Sequence, residues 1–451
     1  MFIFSKINQI PKMRKLNINN SNVKILSNSD NKLPNLNKSI LKISVAASIN
    51  YLMNPLIGLV DTFWVSKLGS NYDIAGQGYA DELYTILFSI FCFISSFITP
   101  QISELNSKKK YNELKNLNTI CIFTSFCMGI FLSIITLVYG NTYLQHQLKN
   151  SLYLDNCSIY LFYRTLSLPF SLVNNTIFAI LRGLLLFNTA FKLNLFAQFI
   201  NVILDPILIK FMGIKGAAIA STLSDIICTI QYLNFLIKKD FITIKIFQIK
   251  KNLMKIFNTG FLIQIRNICI KLTYFIMIGK FTSLDKTGKE MASFIICGKI
   301  LDLGNIIYYG LGTVGYTLLP SIEDSKIKKN IIDRIFIWSY FSHFIELMVI
   351  LLFYWKCTIF TSDTIIITNI RRFVPYIYML LISDGIGYLN FGILQGYQKY
   401  KSQAIISSVC LLIAYILLPY CKQTNYLLVL SLIISIIKTI LLHINKPKLL
   451  I

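Results

Sequence analysis

Two aspartates inside apolar stretches are the residues of this chain best suited to chemistry. Asp61 lies in NPLIGLVDTFWVSKLG (54–69), and Asp205 lies in NVILDP, four residues after Asn201. A carboxylate at the centre of a bilayer costs at least about 2.5 kcal/mol, so a carboxylate that is kept there indicates a function. The i, i+4 spacing of Asn201 and Asp205 places both side chains on one helix face.

Other polar groups accompany the two acids. Asn54 precedes Asp61 by two helical turns and shares its helix face, and Thr222 supplies a hydroxyl in a later segment. Pro206 cannot donate a backbone hydrogen bond, which leaves a carbonyl oxygen free one turn earlier. If these oxygens converge in a low-dielectric interior, they form either a proton site or a site for a small cation.

The composition indicates that a membrane-embedded scaffold positions these residues. Of 451 residues, 55% are apolar and 14% are charged, which is far from the balance of a soluble domain. Apolar runs long enough to cross a hydrocarbon core recur along the chain. We predict an all-α polytopic membrane protein with twelve transmembrane helices, near residues 40–66, 73–100, 117–140, 155–185, 190–212, 214–238, 253–282, 290–321, 330–354, 374–396, 400–420 and 424–444.

The net charge of +24 follows the positive-inside pattern. Most of the 44 Lys and Arg residues fall in the N-terminal tail and in every second connection between spans. We therefore expect both termini to be cytosolic, in a membrane that the sequence does not identify. The charges lie in short loops and are not interleaved with aromatic residues, so nucleic acid is not an expected partner. The expected partners are the lipid bilayer and a small-molecule substrate, with the chain as a monomer.

Cysteine and histidine add no site to this picture. The ten cysteines form no C-x-x-C pair and the three histidines do not cluster, so neither a disulfide framework nor a metal site nor a cofactor is expected. The basic, Asn-rich segment 1–39 is interpreted as a cytosolic tail, and an organellar transit segment of similar composition is the alternative.

An internal repeat divides the predicted helices into two halves. FAILRGLLLFNTAF (178–191) aligns with FGILQGYQKYKSQA (391–404) at an offset of 213 residues, and the same offset aligns Pro206 with Pro419. Six spans return the chain to its starting side, so the halves share one orientation, as in transporters built from parallel repeats. We predict two pseudo-symmetric six-helix lobes, in the order tail 1–39, N-lobe 40–238 (helices 1–6), linker 239–252, C-lobe 253–445 (helices 7–12) and tail 446–451.

The acids are not repeated with the scaffold. The offset aligns Asp61 with Tyr274 and Asp205 with Leu418. An acid that served folding alone should recur in the other lobe. The one-sided distribution therefore favours a function, with drift after duplication as the alternative.

Several ionisable residues of the C-lobe are open to two interpretations. Arg266 and Lys271 either line a cavity that attracts an anionic substrate or snorkel to the membrane interface. His343 and Glu346, spaced i, i+3, are interpreted as a structural pair, with a proton relay as the alternative. Asp384 in the tenth predicted helix has no evident partner in the sequence.

Four ordered motifs resemble the multidrug and toxic compound extrusion (MATE) transporters, and most closely their DinF-like branch. They are P-x-x-x-x-x-D-T-x-x-V-x-x-L-G in the first helix, I-L-R-G at 180–183, N-V-I-L-D-P at 201–206 and G-I-K-G-A-A-I-A-S-T at 213–222. The later G-I-L-Q-G-Y-Q-K-Y is similar to the tenth-helix motif of the same family. The resemblance covers roughly residues 40–445 and implies twelve helices in two lobes around a central cavity.

This resemblance also implies roles for individual residues. The N-lobe cation site would consist of Asp61, Asn201, Asp205 and Thr222. Asn54 and Asn175 would line the neighbouring substrate cavity, to which the charge argument adds Arg266 and Lys271 as substrate-binding candidates.

We therefore expect a secondary active antiporter and not an enzyme. By resemblance it would export small organic molecules, either organic cations and drugs or organic acids, in exchange for H⁺ or Na⁺. A flippase for lipid-linked precursors is the alternative within transport. A membrane-embedded acyltransferase is a weaker alternative, because His146 and His443 have no acidic residue nearby in the sequence.

Overall fold

The chain folds into α-helices throughout the part that the computed structural model describes, which is residues 33–148, 153–243, 249–285, 289–356 and 364–447. The helices in chain order are α1 (Leu33–Leu68), α2 (Asn71–Phe91), α3 (Phe93–Ser107), α4 (Tyr111–Gln147), α5 (Leu154–Thr165), α6 (Leu168–Gly183), α7 (Phe187–Met212), α8 (Ile214–Lys238), α9 (Ile249–Leu284), α10 (Lys289–Leu318), α11 (Ser325–Lys356), α12 (Thr364–Gly396), α13 (Tyr400–Leu417) and α14 (Thr424–Ile444).

These helices follow the order of the twelve predicted spans. Helices α2 and α3 form the second span, which is bent by 43°, and α5 and α6 form the fourth. Each remaining helix corresponds to one predicted span. Within the described ranges, nine helices are each long and apolar enough to cross a membrane, and the bent pair makes a tenth. The fourth span consists of pieces of 12 and 16 residues.

Local sequence signals explain where individual helices begin. The Ser70 hydroxyl accepts the backbone N–H of Asp73 at 3.2 Å, and the Asp73 carboxylate accepts the backbone N–H of Ser70 at 2.8 Å. This reciprocal capping box starts α2. Helices α7 and α8 are separated by Gly213, whose φ of +60° suits glycine because a side chain is disfavoured there.

The repeat detected in the sequence is present in the backbone. After α6, Leu185 has φ +59°, and after α12, Gln398, which follows at the predicted offset, has φ +56°. The hydrogen bonds that close these two turns also match, since Leu186 N–H donates to the Leu181 carbonyl at 2.8 Å and Lys399 N–H donates to the Leu394 carbonyl at 2.9 Å. The two halves therefore share the predicted scaffold, while the exact lobe boundaries stay a prediction.

Helices α1 and α9 each make apolar contacts with the other half. Ile40 and Ala47 of α1 pack in one apolar core with Leu311 of α10. On the other side, Ile256 of α9 packs in the core that contains Phe97 of α3. Helix α1 is therefore shared between its own lobe and the C-lobe.

Polar bonds join the halves next to the connection between α3 and α4. Gln101 donates to Gln398 at 2.6 Å and accepts from Lys255 at 2.7 Å. Gln398 in turn donates to Glu104 at 2.8 Å. The basic loop after α3 is on the predicted cytosolic side, so these bonds close the halves against each other on that side.

Gly396 occupies a position where a side chain does not fit. A Cβ atom there would lie 2.5 Å from the carbonyl oxygen of Gly315, whereas a Cβ at Gly279 of α9 would have no neighbour within 4 Å. We expect Gly396→Ala to lower the free energy of unfolding by about 1 to 3 kcal/mol, the usual cost of overpacking. Gly279→Ala is the matched control and should be neutral or stabilising by up to about 1 kcal/mol. Thermal unfolding of both variants in one detergent measures the difference, and equal stability would contradict the close packing.

Candidate functional site

Asp61, Asn201 and Asp205 meet where α1 packs against α7. The Asn201 side-chain N–H donates to Asp61 Oδ1 at 2.9 Å. Asn201 and Asp205 are buried, at 1% and 0% exposure, while Ile203 and Ile207 between and after them are exposed. The shared helix face predicted from the i, i+4 spacing is therefore the face that points inward.

Three buried oxygens of this cluster lack hydrogen-bond donors in the described part of the chain. Among the described residues, neither carboxyl oxygen of Asp205 has a hydrogen-bond partner, and the side-chain oxygen of Asn201 has none. The carboxyl groups of Asp61 and Asp205 are close enough to interact directly. Buried polar atoms in proteins are nearly always satisfied. Three unsatisfied acceptor oxygens next to the Asp61 carboxyl group are therefore suited to hold a proton or a small metal cation.

An ion pair that the sequence did not reveal lies in the same lobe. Arg164 Nη1 donates to Asp225 Oδ2 at 3.0 Å and to Ser167 Oγ at 2.9 Å. Its guanidinium also lies 4.3 Å from the ring centroid of Tyr84. Ser171 donates to the same Asp225 oxygen at 2.6 Å. The positive charge of Arg164 is thus held by Asp225, so the cluster around Asp205 keeps its need for a cation.

Asp81 extends the polar interior toward α2. Tyr160 donates to Asp81 Oδ1 at 2.9 Å, and the charges of Arg164 and Asp81 both act on Asp61. With Asp61, Asp81, Asp205 and Asp225 around Arg164, the interior of this lobe carries more acidic than basic groups. The only sequence signal for Arg164 and Asp225 was their place inside apolar segments.

Three other predicted residues are not seen to join the cluster. The Thr222 hydroxyl donates to the backbone carbonyls of Tyr163 at 3.2 Å and Ala218 at 2.8 Å. Asn175 is half-buried in α6, and its side chain makes no hydrogen bond within the described ranges. Asn54 belongs to α1, but its side chain lies outside the described residues. The roles of Thr222, Asn175 and Asn54 stay predictions.

Arg266 is fixed inside the C-lobe. Its Nη1 donates to Gln403 Oε1 at 2.7 Å, and its Nε and Nη2 donate to Asn267 Oδ1 at 3.2 and 3.0 Å. No acidic residue in the described part of the chain forms an ion pair with Arg266. Lys271 is exposed, and both cations act electrostatically on Cys92, where the second span bends. These contacts favour an Arg266 that is held in the protein interior over one that snorkels to the membrane interface.

Asp384 has a partner in the structure. The Lys438 ammonium group of α14 lies 2.7 Å from Asp384 Oδ1, and Ser435 donates to the same oxygen at 2.7 Å. The partner is separated from Asp384 by many residues, so spacing along one helix could not reveal it. Asp384 is therefore a partly buried acid neutralised by Lys438, and not a second unpartnered one.

Comparisons with known proteins agree with the resemblance to MATE transporters that the sequence motifs show. The MatE family model matches residues 46–207. The "Multidrug export protein MepA" of Staphylococcus saprophyticus is 23% identical over 384 residues, which cover 82% of this chain and 84% of that protein. The same-named protein of Staphylococcus aureus is 22% identical over 386 residues, with the same coverage.

Solved structures show the fold. An outward-facing multidrug resistance MATE family transporter of the MOP superfamily superposes with a TM-score of 0.80 at 17% identity, covering 90% of this chain and 94% of that chain. The eukaryotic MATE transporter AtDTX14 superposes with a TM-score of 0.77 at 16% identity, covering 91% and 95%. The twelve-helix, two-lobe prediction is confirmed by this likeness, while assignment to the DinF-like branch stays a prediction.

Asp205 and Asp225, two of the acids in the N-lobe interior, should differ in what they contribute to stability. Asp225→Asn removes a charge that accepts bonds from Arg164 and Ser171, so we expect it to lower the free energy of unfolding by on the order of 2 kcal/mol. Asp205→Asn removes a buried carboxyl without a donor, and we expect unchanged or higher stability. Thermal unfolding of the two purified variants, identical in the chemical change, compares them directly. A larger loss for Asp205→Asn would show that Asp205 supports the fold.

Proposed function

We propose that this chain is a MATE-type transporter, a secondary antiporter that exports small organic molecules in exchange for H⁺ or Na⁺. One observation carries the proposal, namely that Asp205 is fully buried beside Asp61 without a hydrogen-bond donor. The matched relatives are named multidrug export proteins, which supports export of drug-like compounds by this chain.

The cation site explains how an ion gradient could be used. A proton bound at the site would let one carboxyl group donate to the other. A Na⁺ ion would instead be coordinated by the oxygens of Asp61, Asp205 and Asn201. Either cation lowers the cost of holding the buried Asp205 carboxylate beside the half-buried carboxylate of Asp61. The state without a cation is therefore strained and favours a different arrangement around the site.

Helix α1 connects this site to the contact between the lobes. It carries Asp61, and nearly three turns earlier it carries Tyr51, whose hydroxyl accepts from Arg182 at 2.7 Å and bonds to Tyr316 of α10 at 2.8 Å. Ser48 of α1 donates to the Ile306 carbonyl of α10 at 3.2 Å. A cation bound at Asp61 would thus change the position that α1 prefers, and α1 also holds the lobes together.

The two lobes carry charges of opposite sign that could attract a substrate. Arg266 and Lys271 would attract an anionic group from the C-lobe side, while Asp61 on the N-lobe side would attract a cationic one. Organic acids and organic cations are both compatible with this arrangement. We propose Arg266 and Lys271 as substrate contacts, together with Asn54 and Asn175 by resemblance.

The alternatives have less support. The curated relatives export drugs and the solved neighbours are transporters, so a membrane-embedded acyltransferase is not favoured. A flippase for lipid-linked precursors is likewise not favoured by these relatives.

Asp61→Asn should abolish gradient-driven exchange while expression and membrane insertion stay largely intact. A carboxamide has nearly the shape of a carboxyl group but cannot ionise. Asp205→Asn should act in the same way, and the double variant should be little worse than either single one, because groups of one coupled site are not additive. Uptake into proteoliposomes under imposed proton and sodium gradients measures this.

The matched control is Tyr274→Phe, the repeat partner of Asp61, whose side chain is 58% exposed and which should keep most activity. Full coupled transport by Asp61→Asn, or a greater loss in Tyr274→Phe, would contradict the proposed site.

Arg266→Gln combined with Lys271→Gln should weaken transport of anionic compounds by about tenfold, equivalent to about 1.4 kcal/mol, and that of cationic compounds less. The reason is that a poorly solvated cation attracts an anion more strongly than one in bulk water. Competition of an anionic and a cationic panel for uptake measures the ratio. Equal loss for both classes would indicate a folding defect, and no loss would show that these side chains do not meet the substrate.

A further inference from the structure

A second cluster of ionisable side chains lies inside the C-lobe, apart from the acids of the N-lobe. Tyr308 of α10 and His343 and Glu346 of α11 are 0%, 7% and 4% exposed. The Tyr308 hydroxyl contacts both His343 Nδ1 and Glu346 Oε2, which lie 3.7 Å from each other. Tyr378 of α12 donates to the His343 backbone carbonyl at 3.4 Å. Three helices therefore enclose the cluster.

The two contacts of the Tyr308 hydroxyl limit where hydrogens can lie. A phenol has one hydrogen, so it donates in one contact and accepts in the other. If it donates to an ionised Glu346, then His343 carries a hydrogen on Nδ1. If it donates to His343 Nδ1, then Glu346 is itself protonated and the imidazole hydrogen is on Nε2. Both arrangements satisfy Tyr308, and the second holds one proton more than the first.

Charge favours the arrangement with the additional proton. In the first arrangement the buried cluster carries one negative charge, and the groups that act on Glu346 are His343 and Tyr308. No Lys or Arg of the described residues forms an ion pair with it. Glu346 Oε1 and His343 Nε2 are buried without hydrogen-bond partners in the same part of the chain. One proton bound to the carboxyl group or to the imidazole cancels the charge.

The groups that face the cluster from neighbouring elements are phenols. Tyr308 comes from α10 and Tyr378 from α12, and Tyr340 of α11 itself has its ring centroid 6.5 Å from that of His343. Gly385 of α12 leaves room for the Tyr308 ring, since a Cβ there would lie 2.8 Å from it. The ring is thus held tightly in place between His343 and Glu346.

The repeat supplies no equivalent cluster in the N-lobe. At the offset of 213 residues, His343 and Glu346 align with Ile130 and Ser133. An ionisable pair that is needed only to pack this helix should have a counterpart there. We propose that Tyr308, His343 and Glu346 form a proton-binding site of the C-lobe, which takes up one proton independently of Asp61 and Asp205.

Infrared difference spectra between acid and alkaline buffer test this in the full-length protein in lipid. The band of protonated carboxyl groups should lose one component in Glu346→Gln. In Tyr308→Phe the same component should titrate at a different pH, because the phenol bonds directly to the carboxyl group. Asp384→Asn is the matched control, since the Asp384 carboxylate is paired with Lys438, and it should leave the component unchanged. Asp61→Asn should also leave it unchanged.

The result that would overturn the proposal is a folded Glu346→Gln protein whose difference spectrum equals that of the unmodified chain. If Glu346→Gln does not fold, His343→Gln decides, because an unchanged titration midpoint of the component would likewise overturn the proposal. Loss of the component in Asp61→Asn would contradict independence from the N-lobe. The measurement needs no transport, so its outcome is separate from that of the antiport proposal.

Discussion

A buried carboxyl group without a hydrogen-bond donor is the constraint on which the N-lobe depends. Asp205 is surrounded by protein, and its neighbours Asp61 and Asn201 add further oxygens. Arg164 could have neutralised the cluster, but it is bonded to Asp225 and Ser167. The energetic cost of this arrangement falls when a cation binds and returns when the cation leaves. In the proposed antiport, this change in energetic cost is what would make the lobe respond to an ion gradient.

In this proposal, the effect of cation binding can reach the C-lobe because α1 of the N-lobe also packs against α10. Asp61 faces α7 of its own lobe, while Tyr51 and Ser48 bond to residues of α10. On the predicted cytosolic side, Gln101 and Gln398 hold the lobes together by direct bonds. A change at Asp61 that shifts α1 therefore acts on a contact surface made of discrete polar bonds, which can exist in two arrangements.

The sequence predicted the features that depend on neighbours along the chain. The twelve apolar runs, the repeat that aligns Gly183 with Gly396, and the common face of Asn201 and Asp205 follow from length, sequence similarity between the halves and helical period. It did not predict pairings between helices. Arg164 with Asp225 and Asp384 with Lys438 depend on how two helices are rotated against each other, which no spacing within one helix records. Thr222 was assigned to the cation site by resemblance; its hydroxyl donates to backbone carbonyls, and its role in the site stays a prediction.

The most direct test of the account measures which ion a substrate displaces. Calorimetric titration of the purified protein with a transported compound, in buffers of different ionisation enthalpy and at several sodium concentrations, reports cations released on binding. The account predicts that binding releases protons, seen as a dependence of the heat on the buffer, or competes with sodium, seen as weaker affinity at higher sodium. In Asp205→Asn this dependence should disappear. Substrate binding that depends on neither buffer nor sodium in the unmodified protein would contradict the central claim.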